Sequence, residues 1–109
     1  MYCKLFIDCG DRDKILSILK NHFGNCKSRF SDHSFAEFDI HIIRNKESLS
    51  ETVADINNRF LYYPIIADLD IDSDYIEITD KIIRLIKNEN IRIVAACDYE
   101  DELEKENQL

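Results

Sequence analysis

The sequence predicts an α+β fold, a two-layer sandwich in which two helices cover one face of a single five-stranded sheet. Five stretches have the apolar pattern of strands, and two stretches repeat apolar residues at helical spacing. Their order is β-α-β-β-β-α-β, and placing both helices on one face of the sheet buries both apolar stripes. With 109 residues, of which 45% are hydrophobic, the chain fits one globular domain, residues 1–109. The predicted architecture is a variant of the ferredoxin-like plan.

The first strand and the first helix follow from patterning and capping. Residues 3–9 have a strand pattern, in which the apolar side chains of Cys3, Leu5, Ile7 and Cys9 share one face. Gly10 ends this pattern, and Asp11 is placed to cap a helix. The apolar stripe of that helix consists of Ile15, Leu16, Leu19 and Phe23. Gly24 is placed to end the helix in a left-handed conformation.

Residues 26–44 predict a β-hairpin. Its arms are residues 26–31 and 35–44, and its turn is formed by residues 31–34. The second arm alternates, which indicates a strand with one buried and one wet face. Residues 45–59 are polar and predict a loop, with one short helix because Ser48 and Glu51 have capping-box spacing.

The second half of the chain predicts two strands around a helix. Residues 60–71 give the longest strand pattern, in which Pro64 requires an edge, a bulge or an unpaired position. A helix is predicted from Asp74 to Asn88, with Asp74 and Glu77 at capping-box spacing. Its buried side is expected to comprise Ile76, Ile82, Ile83 and Ile86. Residues 91–97 predict a largely buried strand, and an acidic segment begins at about residue 98.

Charge and composition exclude several classes of protein. The chain has 14 Lys and Arg against 22 Asp and Glu, a formal net charge of -8. This balance disfavours direct binding of nucleic acid or of a membrane surface, because both require a basic face. The sequence has neither an apolar run of about 20 residues nor the pattern of a signal peptide. We therefore expect a cytoplasmic protein.

The four cysteines are expected to be reduced thiols. Cys3 and Cys9 lie in one predicted strand and would be about 20 Å apart, which excludes a disulfide between them. A metal site that combines cysteine with one of the three histidines is the alternative. No cofactor is expected.

Two acidic segments are the candidate partner-binding surface. The first contains Asp98, Glu100, Asp101 and Glu102, with Tyr99 among them as a candidate interface anchor. The second patch comprises Asp70, Asp72 and Asp74. If strands 60–71 and 91–97 run parallel, both segments leave the sheet at the same edge. The alternative is that the C-terminal run is a solvated tail.

The second patch does not read as a calcium loop. Counted from Asp68 or from Asp70, the EF-hand pattern fails at its glycine and glutamate positions. A weak surface cation site is the only metal alternative there. In the other interpretation Asp68 and Asp70 lie on the wetter strand face, and Asp72 and Asp74 cap the following helix.

The sequence contains no catalytic motif, so we predict neither an enzyme nor catalytic residues. His41 alternates with Glu37 and Asp39 on one strand face, which allows a carboxylate–histidine pair. Tyr62 and Tyr63 could line a pocket near His41. These residues support the alternative function, a small-molecule-binding regulatory module.

Three segments carry a resemblance to a known family. They are residues 4–8 (KLFID), 60–64 (FLYYP) and 94–103 (VAACDYEDEL). Together they resemble immunity proteins of bacterial contact-dependent growth inhibition systems, or a related family of small bacterial proteins. The resemblance implies a protein that binds and neutralises one toxin domain, expected to be a nuclease, by occluding its active or substrate-binding site. An acidic inhibitor would suit the basic surface of such a toxin domain.

Overall fold

The computed structural model describes residues 1–46 and 56–106, without the side chains of 56–58 and 104–106. The predicted capping pair Ser48 and Glu51 lies outside the described residues. The elements of this part are β1 (Tyr2–Ile7), α1 (Arg12–Phe23), β2 (Lys27–Arg29), β3 (Asp32–Ser34), β4 (Asp39–Arg44), a 3₁₀ helix (Ile56–Tyr62), β5 (Ile65–Asp70), α2 (Tyr75–Lys87), β6 (Ile93–Ala96) and α3 (Glu100–Glu106). The fold is α+β, as predicted.

All pairings in the sheet are antiparallel, in the order β2-β3-β4-β5-β1-β6. The first strand of the chain is therefore internal and lies between β5 and β6. Because β5 and β6 both run antiparallel to β1, they run parallel to each other. Both strands consequently end at the same end of the sheet.

The core lies between one face of the sheet and the helices. On β1 the residues Cys3, Leu5 and Ile7 point into it, and they pack with the buried sides of α1 and α2. The fully buried side chains of these two helices are Ile15, Leu19, Thr79, Ile82 and Ile86. Phe6 points to the opposite face, where its ring meets Phe60 of the 3₁₀ helix edge to face, with centroids 5.2 Å apart.

The described sheet has six strands, and three α-helices are described, where five strands and two helices are predicted. Of the predicted second arm, residues 35–44, only residues 39–44 form a strand, which is β4. β3 lies in the predicted turn, and residues 35–38 connect it to β4. Both Phe35 and Phe38 are buried, and Phe35 N–H donates to the Phe38 carbonyl at 2.9 Å. Phe35 and Phe38 are three positions apart, so they cannot share one face of a strand, and the chain turns between them.

The hairpin turn is also displaced from its predicted position. Arg29 pairs with Asp32, so the connection is the two residues Phe30 and Ser31 rather than residues 31–34. Phe30 has a φ of 58° and is 92% exposed. A two-residue hairpin of this kind requires positive φ, which glycine or asparagine usually supplies.

Residues 60–62 are helical rather than part of the long predicted strand, and β5 begins after Pro64. Asn45 fixes this boundary. Its backbone N–H donates to the Pro64 carbonyl, and its buried side-chain amide donates to the carbonyls of Leu61 and Tyr63, each at 2.8 Å. The chain that enters β5 is therefore held by Asn45, the residue that follows β4.

Candidate functional site

Strand direction brings the two acidic segments to one end of the sheet. β5 ends at Asp70, which pairs with Tyr2, and β6 ends at Ala96, which pairs with Lys4. Residues 71–74 and 97–99 therefore leave the sheet on either side of the start of β1. The condition on which the single-surface interpretation depends, parallel strands 60–71 and 91–97, is met by β5 and β6.

The acidic end, as we call it, consists of Asp70, Asp72, Asp74, Asp98, Glu100, Asp101 and Glu102. Six of these side chains are exposed, and Asp70 is half-buried. The amine of Met1 lies 3.7 Å from the Asp70 carboxylate and donates to the Ile71 carbonyl at 2.8 Å. The carboxylate side chains of the acidic end offer only hydrogen-bond acceptors, which suits a cationic partner.

Tyr99 joins the two acidic segments from inside. Its side chain is 3% exposed, its hydroxyl lies 3.0 Å from Thr79 Oγ1, and its ring meets that of Tyr75 with centroids 4.8 Å apart. These contacts hold the start of α3 against the start of α2. Tyr99, which the sequence predicts to be an interface anchor, therefore lies in the core. The candidate partner-binding surface consists of the carboxylates around it.

The burial of Tyr99 follows from helical spacing that the acidic run obscures. Tyr99 and Leu103 are four residues apart, and both are buried against the core. Leu103 N–H donates to the Tyr99 carbonyl at 3.3 Å, which forms the first turn of α3. The C-terminal segment is thus an amphipathic helix with an acidic outer face.

Asp74 does not cap α2 as its spacing with Glu77 predicts. It precedes the helix in a left-handed backbone conformation, with a φ of 56°, and its side chain makes no capping hydrogen bond. A cap requires extended backbone at this position to direct the side chain at the helix N–H groups. The Asp74 carboxylate is consequently left on the acidic end.

The interior beneath the acidic end is neutral. Burial, and next the neighbouring thiol of Cys97, raise the pKa of the Cys3 thiol well above its usual range. Burial likewise raises the pKa of the Tyr99 hydroxyl far above its usual range. Both groups keep their protons near neutral pH, so the negative charge of this end is carried by its outer carboxylates.

The face of the sheet opposite α1 and α2 holds the second group of candidate residues. His41 Nδ1 lies 2.6 Å from Asp32 Oδ1 on the neighbouring strand, and Asp68 is opposite His41 on the other side. The predicted carboxylate–histidine pair therefore exists, but with Asp32 rather than with Glu37 or Asp39. The pairing of β3 with β4 creates it, and that pairing is not visible in one strand's pattern.

Two depressions lie on this face. One, of about 340 Å³, is lined by His41 and aspartates of β3, β4 and β5, with Tyr2 at its side. The other, of about 300 Å³, is lined by Tyr62 together with Phe6 and Ile66. The single pocket expected from Tyr62, Tyr63 and His41 is thus not formed, since Tyr62 and His41 line different depressions.

The described residues, 1–46 and 56–106, contain no group of three or more His, Cys, Asp or Glu side chains arranged to hold a metal ion. Within the same ranges, no helix has the length and apolar character needed to cross a membrane. Comparison of the chain with protein-family models, with curated proteins and with solved structures gives no match.

Proposed function

We propose that this protein is an inhibitor that binds a basic protein domain through its acidic end. The observation that carries the proposal is the parallel course of β5 and β6, which brings both acidic segments to one end of the sheet. The contacts of Tyr99 with Thr79 and Tyr75 hold these segments together. Taken with the resemblance in residues 94–103, the proposed partner is a toxin domain and the proposed role is immunity.

Electrostatics supports this role in two ways. A cluster of exposed carboxylates steers a basic partner and can raise association rate constants to about 10⁸–10⁹ M⁻¹s⁻¹ at low salt. Fast capture suits a protein that must neutralise a toxin before it acts. A nuclease also needs a positive surface to hold phosphates, so a carboxylate-rich inhibitor would occupy the substrate path. The proposed site of action is the cytoplasm, a reducing compartment that suits a chain with four free cysteines.

The direct test is co-expression with the neighbouring gene product. The coding region immediately upstream is cloned, its C-terminal portion is expressed in a neutral host, and survivors are counted with and without this protein. We expect toxicity that this protein relieves. Toxicity without relief, with both proteins expressed, would contradict the immunity role.

Charge reversal then tests the acidic end as the binding surface. Glu100→Lys should slow association with the toxin domain whose toxicity this protein relieves, about threefold or more at low salt. It should also reduce the salt dependence of the association rate. Glu89→Lys makes the same change at an exposed position after the end of α2, at the far end of the sheet, and should leave association unchanged. Equal effects of the two variants would mean that net charge, and not this surface, governs binding.

A second candidate function is small-molecule binding on the open face, which the two depressions there favour. A thermal-shift screen of metabolites and divalent metals tests it. A stabilising ligand should lose its effect in His41→Ala or in Tyr62→Ala, according to the depression it occupies. Equal stabilisation of both variants would place the ligand elsewhere.

We also infer that the architecture is a ferredoxin-like variant extended by one hairpin. Four strands, in the order β6-β1-β5-β4, form two β-α-β units, one with β1, α1 and β4 and the other with β5, α2 and β6. β5 lies between the two strands of the first unit, and β1 lies between the two strands of the second. The hairpin of β2 and β3 adds to the outer edge of β4. Superposing an experimental structure of this chain on structures of ferredoxin-like proteins tests the assignment.

A further inference from the structure

Cys3 lies near the start of β1, and Cys97 directly follows the end of β6, the adjacent strand. In the pairing of β1 with β6, Lys4 is opposite Ala96 and Leu5 is opposite Ala95, and continuing this register by one residue places Cys97 opposite Cys3. Cys3 belongs to the hydrophobic core and Cys97 packs against it, so both thiols lie on the helix-covered face of the sheet. The Cys97 side chain is near enough to the Cys3 thiol to raise its pKa, an effect second to that of burial.

The register also determines the kind of pair. Asp8 N–H donates to the Arg92 carbonyl at 2.9 Å, so hydrogen-bonded pairs of these strands occur at even-numbered residues. On this continued register Cys3 and Cys97 occupy a non-hydrogen-bonded position, at which Cα atoms are typically about 4.5 Å apart. Disulfides join Cα atoms about 4.4–6.8 Å apart, so the bond can form with little movement of the backbone.

We propose that Cys3 and Cys97 form a reversible redox pair that closes to a disulfide with a small-molecule disulfide as the oxidant. The Cys97 thiolate attacks the oxidant, one oxidant thiol leaves, and a mixed disulfide forms. The Cys3 thiol then loses its proton and attacks the Cys97 sulfur, which releases the second oxidant thiol. Two protein thiols are oxidised, and one disulfide is reduced to two thiols.

Accessibility determines the order of these steps. Cys3 is 2% exposed, whereas Cys97 is half-buried and can be reached from solvent. Burial raises the pKa of the Cys3 thiol, which makes it a poor first nucleophile and a resolving partner once the mixed disulfide is beside it. Cys97 immediately precedes Asp98, so the disulfide would join β1 to the chain just before the C-terminal acidic segment.

The other two cysteines cannot compete for this bond. Cys9 follows the far end of β1, and Cys26 precedes β2, which lies at the opposite edge of the sheet from β6. In the described part of the chain, no further ligands complete a metal site around the two thiols. A bond restricted to one pair is therefore expected.

The test is thiol counting on the purified, reduced full chain during incubation with oxidised glutathione. We expect two of the four thiols to be lost, and a Cys3–Cys97 cross-linked peptide after digestion without reductant. The cross-linked protein should melt at least about 5 °C higher, because the bond restricts the unfolded chain, and a dithiol reductant should restore the original value.

Matched variants identify the pair. Cys97→Ser should abolish the loss of paired thiols, whereas Cys9→Ser and Cys26→Ser should leave it unchanged. Cys3→Ala should stop the reaction at a mixed disulfide on Cys97, and Cys97→Ala provides the same check as Cys97→Ser with an apolar replacement. Retention of four thiols in the folded wild-type chain, or a cross-link to Cys9 or Cys26, would overturn the proposal. Because this readout needs no toxin, its failure is distinct from failure of the immunity role.

Discussion

At the scale of single residues, Tyr99 and Thr79 form the hydrogen bond that joins α3 to α2. Removing one hydroxyl leaves the other buried without this partner, so Tyr99→Phe and Thr79→Val should each lower the free energy of unfolding by about 1–2 kcal/mol. The double variant should lose less than the sum of the two, with a coupling of about 1 kcal/mol. Urea denaturation of the wild type, the two single variants and the double variant measures this coupling. Strictly additive losses would mean that the bond contributes nothing.

The same region makes the fold sensitive to alkali. The pKa values of Cys3 and Tyr99 are raised in the folded state from ordinary values of 9.0 and 10.0. A raised pKa contributes stability that is complete below the unfolded value and is lost as pH rises above it. We therefore expect the urea concentration at the midpoint of unfolding to decrease as the pH rises from about 8.5 to about 10.5.

The Tyr99 part of this fall can be isolated. Tyr99→Phe should make the fall shallower, because the hydroxyl that must titrate on unfolding is gone. Tyr2→Phe removes a hydroxyl from a residue that is 75% exposed, and it should leave the slope as in the wild type. Identical slopes for all three proteins would exclude Tyr99 as a source of the alkaline sensitivity.

Phe30 combines left-handed backbone with nearly complete exposure. Its ring contributes little burial, while its backbone conformation costs about 1 kcal/mol or more. Phe30→Asn, with a residue that tolerates positive φ, should raise the free energy of unfolding by about 0.5–1 kcal/mol. Phe30→Val should lower it, because a β-branched side chain strains this conformation further. Loss of stability in the Asn variant would show that the exposed ring stabilises the turn.

At the scale of elements, Asn45 is the link between β4 and the 3₁₀ helix. Its amide donates two hydrogen bonds to carbonyls of residues 61 and 63 from a buried position. Asn45→Ala should lower the free energy of unfolding by about 2–3 kcal/mol, since both carbonyls lose a donor. Asn45→Asp should cost more, because an ionised carboxylate would face carbonyl oxygens.

Hydrogen exchange locates the effect of the Asn45 variants. Protection should fall first in residues 59–63 and in the start of β5, while α1 keeps its protection. Uniform loss of protection across the chain would mean that Asn45 supports the whole fold and not the 3₁₀ helix in particular.

Elements whose apolar spacing is regular are those that the sequence predicts well. Helix α1, which lies between Asp11 and Gly24, is the best example. The Asp11 carboxylate accepts from the backbone of Asp13 and Lys14, and Gly24 ends α1 with a φ of 87°. In α2 the buried set is nearly as predicted, with Thr79 added and Ile76 half-buried.

The errors arise where two patterns overlap or where a partner strand decides. Phe35 and Phe38 look like members of one alternating strand, but their burial requires a turn between them. In the C-terminal run, charge obscures the helical spacing of Tyr99 and Leu103. The pairing of His41 with Asp32 depends on strand neighbours, which a single strand's pattern does not identify.

At the scale of the whole molecule, the members of the acidic end were visible in the sequence but their arrangement was not. The carboxylates of Asp72, Asp98 and Glu100 can be read from composition alone. Their common surface depends on β5 and β6 running parallel on either side of β1, a non-local fact of topology. The buried bond between Tyr99 and Thr79 depends on the same topology.

The internal position of β1 also has a consequence for folding kinetics. During synthesis β1 is made first, yet its neighbours begin at Ile65 and Ile93, so it waits unpaired while most of the chain is added. Closing loops of this length is costly in chain entropy, and sheets rich in distant pairings fold in about milliseconds to seconds. The nearby turns of α1 and of β2–β4 can form early, but the sheet is complete only when the beginning and end of the chain meet.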